Sequence, residues 1–217
     1  MWLRIDERTD VLASLSLCAS SVKGISKDPA LWKWCILALH NGLQGAMVCH
    51  LSGTAQIGAL STQCAESWLK WHDRDARGEI QRIKNGVDEF GIPRERIKKK
   101  ADFPPKDHLA KPEVLFERLH DGIKRHESGC GAIIDITSAE QISFDQLNAF
   151  RNDFTHFTPK GWSIETTGLP NIALDIIGVI EKISVDPWSF RHMEKNDFRR
   201  LSLVIKELRQ ELGNLNV

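Results

Sequence analysis

The segment DPALWKWCILALHNGLQGAMVCHL, residues 28–51, decides the fold. Asp28 precedes Pro29, and a carboxylate at the N-cap with proline at the first helical position opens a helix well, because that N–H would have no helical partner anyway. From there the run is apolar nearly all round, which places the helix at the centre of a core. Ala38, Gly42, Gly45, Ala46 and Cys49 form a strip of small residues that lets a neighbouring helix approach closely. His40, Asn41 and Gln44 fall on the other side, and polar groups in so apolar a segment need partners. They read first as a network satisfied within the core, and alternatively as one wall of a cleft or of a small-ligand pocket. His50 points elsewhere and reads as structural.

Helical periodicity continues outward from this segment, with little of the strict alternation that marks strands. A first helix is predicted over residues 9–22. A third covers 61–90, with Gly78 and Gly86 as weak points and Gly91 as its stop. Residues 91–111 hold Pro93, Pro104 and Pro105 and lack an apolar period, so they are expected to form a loop. A fourth helix runs from Pro112 to about Glu127, and Ser128-Gly129-Cys130-Gly131 closes it. Ala132 to Ile136 is a short apolar run, either a strand or an extended connector. Ser138 and Ser143, each followed three residues later by glutamine, offer two capping-box starts for a helix reaching Phe157, with Pro159 ending it. Two further helices are expected over 170–183 and 196–212, the second with Leu201, Val204, Ile205, Leu208 and Leu212 on one face and Gly213 as its stop. The expected fold is an all-α antiparallel helix bundle, one domain over residues 1–217 with a basic, proline-containing loop at 91–111.

Composition narrows the function classes. A chain of 217 residues can bury about 70 % of its unfolded surface. Its formal net charge is zero, so no global field draws it to nucleic acid, and any such binding must be local. Five scattered cysteines with no Cys-x-x-Cys pair read as free thiols, without a disulfide framework or zinc site. Neither Gly-x-Gly-x-x-Gly nor Gly-x-x-x-x-Gly-Lys occurs, which argues against nucleotide binding of those kinds. Histidines paired at i, i+4 are absent, and no metal or cofactor is expected. The charged first ten residues do not form the core of a signal peptide, and no apolar run reaches membrane-spanning length. A soluble cytoplasmic protein is expected.

Chemistry concentrates at Arg151-Asn152-Asp153-Phe154-Thr155-His156. An imidazole can move the proton of an attacking hydroxyl or a leaving group, and a guanidinium can neutralise phosphoryl oxygens through two parallel hydrogen bonds. On a helix, Phe144, Leu147, Phe150, Phe154 and Phe157 form an apolar stripe. Asn148, Asn152 and Thr155 lie outside it, with Arg151 on one flank and His156 on the other. Five residues separate Arg151 from His156, about 140° on a regular helix, so one helix does not make them a tight pair. A twofold axis would bring the two side chains together from two copies, with the Asn148, Asn152 and Thr155 face in the interface. The plainer alternative is a solvated helix face with local bonds.

The spacing resembles the Arg-Asn-x-x-x-His signature of the HEPN superfamily, helical proteins many of which are metal-independent ribonucleases. The resemblance implies that His156 acts in acid/base catalysis, Arg151 holds the scissile phosphate and Asn152 orients the two. It also implies a homodimeric site that cleaves single-stranded RNA by attack of the ribose 2′-hydroxyl. Some HEPN proteins are inactive scaffolds, so a non-catalytic interaction or regulatory module, with a protein partner, is the second expectation.

Two further groups are candidate substrate contacts. In the 91–111 segment, Arg94, Arg96, Lys98, Lys99, Lys100, Lys106 and Lys111 face three carboxylates, a local charge of +4. Lys98, Lys99 and Lys100 are candidates for tracking a phosphate backbone, against the alternative of a solvated loop. Trp162 is a candidate for stacking on a base, against the alternative of core packing, the role also expected of Trp32 and Trp34.

Overall fold

The computed structural model describes residues 2–125, 130–156, 159, 161 and 163–215. Seven α-helices and one two-stranded sheet are present among them: α1 Glu7–Val22, α2 Leu31–Leu51, α3 Thr62–Ala76, β1 Arg82–Val87, β2 Pro93–Ile97, α4 Pro112–His120, α5 Ser138–Thr155, α6 Leu169–Val185 and α7 Lys195–Asn214. The fold is mainly helical. No described helix is long and apolar enough to cross a membrane.

Helix α2 is the centre, packed against α1, α4, α5 and α6, while α7 closes the bundle against α1 and α6. The strip of small residues is where α1 comes in. A Cβ on Gly42 would stand 2.9 Å from Leu15 Cδ2, and one on Gly45 2.7 Å from Val11 Cγ2, so only glycine admits α1 at this distance. The Cys18 and Cys35 sulfurs meet 3.3 Å apart in the same seam. Of the two tryptophans on α2, Trp32 is buried, but Trp34 is half exposed and does not join the core. The helix starts at Leu31, two residues after the expected Pro29, yet Asp28 still accepts the Ala30 N–H at 3.0 Å.

The largest departure from expectation lies between residues 76 and 100. Helix α3 ends at Ala76, and the region expected to be helical up to residue 90 and then loop is an antiparallel ribbon. Gly78, Gly86 and Gly91 have φ of +70°, +78° and +78°, a conformation that open glycines take freely and a right-handed helix does not contain. An extended connector occupies residues 132–136, tied through Ile134 N–H to the Leu119 carbonyl. Helix α4 ends at His120, seven residues before the expected Glu127, and Gly213 lies within α7, which ends at Asn214.

A second, small core of Ile57, Leu60, Cys64 and Ala65 lies beneath α3. Buried Arg118 of α4 ties it to the bundle, donating to the carbonyls of Gly58 at 3.0 Å and Leu60 at 2.7 Å. At the far end of α2, His50 is fully buried between Ser189 Oγ and the Ala132 carbonyl, each at 2.8 Å. Gly131, at φ +82°, passes against its ring.

Candidate functional site

The motif sits on the last turn of α5, and that helix is anchored before it reaches the motif. Thr137, rather than Ser138 or Ser143, is the N-cap, and it exchanges a capping box with Glu140. Burial acts to raise the Glu140 carboxyl, but the Lys182 ammonium at 2.7 Å and the Thr137 donors outweigh it and hold the group below its ordinary value. Lys182 thereby clamps α5 to α6. Phe144 stacks on Phe116 of α4, ring centroids 4.0 Å apart and nearly parallel, and Leu147 is buried beside it. Phe150 and Phe154 pack against the core, continuing the expected stripe. Phe157 and Trp162 lie outside the described residues.

One turn before Arg151, the structure corrects the expected polar face. Asn148 is buried, not surface, and joins three helices. Its Nδ2 donates to Glu113 Oε1 of α4 at 2.6 Å, and its Oδ1 accepts from His40 Nε2 of α2 at 3.1 Å. It is therefore not available to a second chain, and only Asn152 and Thr155 of the expected interface face stay exposed. With Nε2 donating, the His40 imidazole is the Nε2–H tautomer. Burial lowers its basicity and the nearby Arg151 cation adds to this, outweighing the Asn148 bond and the Glu113 carboxylate. The neutral form is thus favoured.

His40, Asn41 and Gln44 do not form a common wall. Asn41 turns away from α5 and donates to Asp10 Oδ2 and Ser14 Oγ of α1, each at 2.8 Å. The core reading of His40 is the one the structure supports, with a partner that helix periodicity could not name. Glu113 and Asn148 are the residues of this cluster that sequence reasoning missed as partners. The signal available was the isolated histidine in α2, whose buried N–H requires an acceptor.

At the motif itself, Arg151 is half-buried and donates from Nη1 to Asn152 Oδ1 at 2.8 Å. Thr155 Oγ1 bonds back to the Arg151 and Asn152 carbonyls, at 2.9 and 3.2 Å, and satisfies two groups of the last turn. His156 is the C-cap, with φ −112° and ψ 57°, and its N–H closes the final helical bond to Asn152 O at 2.9 Å. Its exposed imidazole therefore leaves from the first residue beyond the regular helix, so the 140° separation of a helical wheel does not set its direction. Among the described residues no hydrogen bond joins His156 to Arg151. One guanidinium, one amide and one imidazole thus share an exposed helix end, one turn beyond the buried His40–Asn148–Glu113 network.

Lys98, Lys99 and Lys100 are exposed at the base of the ribbon, and among the described residues no hydrogen bond or ion pair joins them to Arg151, Asn152 or His156. Their link to the site runs along the chain. The segment after Lys100 leads into α4, whose first turn carries Glu113, the partner of Asn148. Compared with protein-family models, curated proteins and solved structures, the chain matches none.

Proposed function

We propose that the protein is a metal-independent endoribonuclease of HEPN type that works on single-stranded RNA as a homodimer. The observation that supports this most is the exposed end of α5, where Arg151 and Asn152 are hydrogen-bonded to each other and His156 caps the helix. In the proposed reaction His156 takes the proton of a ribose 2′-hydroxyl as its oxygen bonds to the adjacent phosphorus. The P–O5′ bond breaks, the 5′-oxygen takes a proton from water, the imidazolium later returns its own proton to solvent, and a cyclic phosphate remains. Arg151 holds the phosphoryl oxygens as charge builds on them, and Asn152 keeps the guanidinium fork oriented. The second chain supplies the facing Arg or His that one helix end leaves apart.

A second reading, a non-catalytic helical interaction module, draws on the burial of Asn148, which shrinks the polar face a twofold partner would complete. Incubation of the purified protein with varied single-stranded RNAs in the presence of EDTA decides between them. The nuclease reading requires cleavage with cyclic phosphate ends that is lost in both Arg151→Ala and His156→Ala. Intact RNA throughout, from a folded wild type, leaves the scaffold.

A further inference from the structure

The ribbon β1–β2 sorts its charges by face, and this gives the expected basic loop a geometry. Pairing sets Ile83 opposite Arg96 and Lys84 opposite Glu95, so these pairs lie on opposite faces. Alternation along the second strand then puts Arg94, Arg96 and Lys98 together on one face, with Ile83 and Gln81 across from them and no carboxylate. Lys98 continues the ladder past the end of β2, its N–H donating to Gln81 O at 2.9 Å. The carboxylate of β2, Glu95, is on the other face beside Lys84. Arg82 on that other face is used internally, paired with Asp75 of α3 at 2.7 Å. None of Arg94, Arg96 and Lys98 has an ion-pair partner among the described residues.

The ribbon is also bare. No residue from Gln81 to Lys100 is buried, although a two-stranded ribbon ordinarily needs a packed face for stability. Its tip is a tight turn closed by Asp88, whose N–H donates to the Ile92 carbonyl at 2.9 Å. Asp88 Oδ1 accepts the N–H groups of Phe90 at 2.9 Å and Ile92 at 2.8 Å, and Phe90 projects with 80 % of its surface exposed.

We propose that this ribbon is an arm for single-stranded RNA, with Arg94, Arg96 and Lys98 on successive phosphates and Phe90 stacking on a base. Side chains two residues apart on a strand are about 6.8 Å apart, close to the separation of successive phosphates in an extended strand. A row of equally spaced cations on one face fits a linear polyanion better than a membrane. Insertion of the tip into a bilayer would strip water from Asp88 and Glu89, the two residues just before Phe90, whereas stacking of Phe90 on a base leaves both carboxylates in water. The proposal rests on the ribonuclease reading for the identity of the polymer as RNA, but not for the arm's geometry.

The test measures binding apart from cleavage. Full-length protein carrying His156→Ala is titrated with labelled single-stranded RNA across a salt series, and circular dichroism confirms the fold of each variant. Adding Arg94→Gln, Arg96→Gln and Lys98→Gln together should lower the slope of log affinity against log salt by about two, since each neutralised phosphate contributes about 0.7. Lys84→Gln, on the opposite face, should leave the slope unchanged. Phe90→Ala should weaken binding on the order of tenfold. An unchanged slope in the triple variant, an equal loss with Lys84→Gln, or binding to phosphatidylserine vesicles but not to RNA would each overturn the arm. Binding through the arm by a wild type that never cleaves would sink the nuclease reading alone. Cleavage by a wild type whose affinity ignores the arm would sink the arm alone.

Discussion

Two regions of this molecule carry polar and charged side chains in similar measure and treat them in opposite ways. Where α2, α4 and α5 meet, His40, Asn148 and Glu113 are bonded in sequence, because a buried donor without an acceptor costs about 1–3 kcal/mol. On the ribbon, Arg94, Arg96 and Lys98 have no ion partner among the described residues. Water solvates them there, and an exposed pair would contribute only about 0–1 kcal/mol. Burial therefore forces the bundle to complete its own network. Exposure lets the ribbon leave its charges to water.

The comparison predicts that the largest effects on chemistry and on binding separate. His156→Ala should reduce RNA cleavage by about 10²- to 10⁴-fold in single-turnover assays, with little change in melting temperature because the side chain is exposed. The ribbon triple variant should instead raise the RNA concentration needed for half-maximal rate and leave the saturated rate alone. A fall in the saturated rate for the ribbon variant would break the division.

Next in size is a contrast of two glycines with nearly the same backbone. Gly131 and Gly91 have φ of +82° and +78°, but a Cβ on Gly131 would lie 2.7 Å from both His50 ring nitrogens, whereas Gly91 has nothing within 4 Å. Gly91→Ala should cost about 1–2 kcal/mol, the backbone term alone. Gly131→Ala adds an overpacked core and should cost a further ~1–3 kcal/mol. Equal costs in chemical denaturation would mean that the His50 pocket yields freely.

Asn148→Ala should destabilise the fold by roughly 1–3 kcal/mol, since it strands the His40 N–H. Arg96→Gln should stay within about 0.5 kcal/mol. Denaturant midpoints compare the two directly, and a larger loss from Arg96→Gln would mean that the ribbon is packed in solution.

The smallest expected effect is the response of stability to pH. Burial, aided by Arg151, lowers His40, and burial, aided by Arg125, lowers His50. Below the ordinary histidine value of 6.5 the unfolded chain therefore binds protons that the folded chain refuses. Stability should be full above that value and decline as pH falls through it toward the depressed folded values. Burial raises and hydrogen bonds more strongly lower the carboxyls of Glu140, Asp186 and Asp6, the last to about 2, so their losses begin only at more acid pH. Unfolding curves between pH 7.5 and 5.5 should show the decline, and His40→Gln or His50→Gln should flatten it. A slope untouched by both substitutions would place its origin elsewhere.

Much of the bundle was legible in the residues alone, because its signals are local. The apolar run of α2, the periodic faces of α5 and α7 and the glycines that admit α1 all follow from which side chains share a helical face. The ribbon was not legible by that route. Its strands are charged on both faces and lack apolar alternation, and their register is fixed by pairs such as Arg82 with Ile97 that lie well apart along the chain. Asn85-Gly86 was the one local hint of a hairpin, although here it marks a bulge between Lys84 and Val87 rather than the turn. The motif divides in the same way. Sequence placed Arg151, Asn152 and His156 at a helix end, but it could not say that Asn148 faces inward or that the helix stops at Thr155. Periodicity assigns a residue to a side of its own helix. Which neighbour fills that side, and so whether a polar group is buried and bonded or left to water, depends on how the helices pack together.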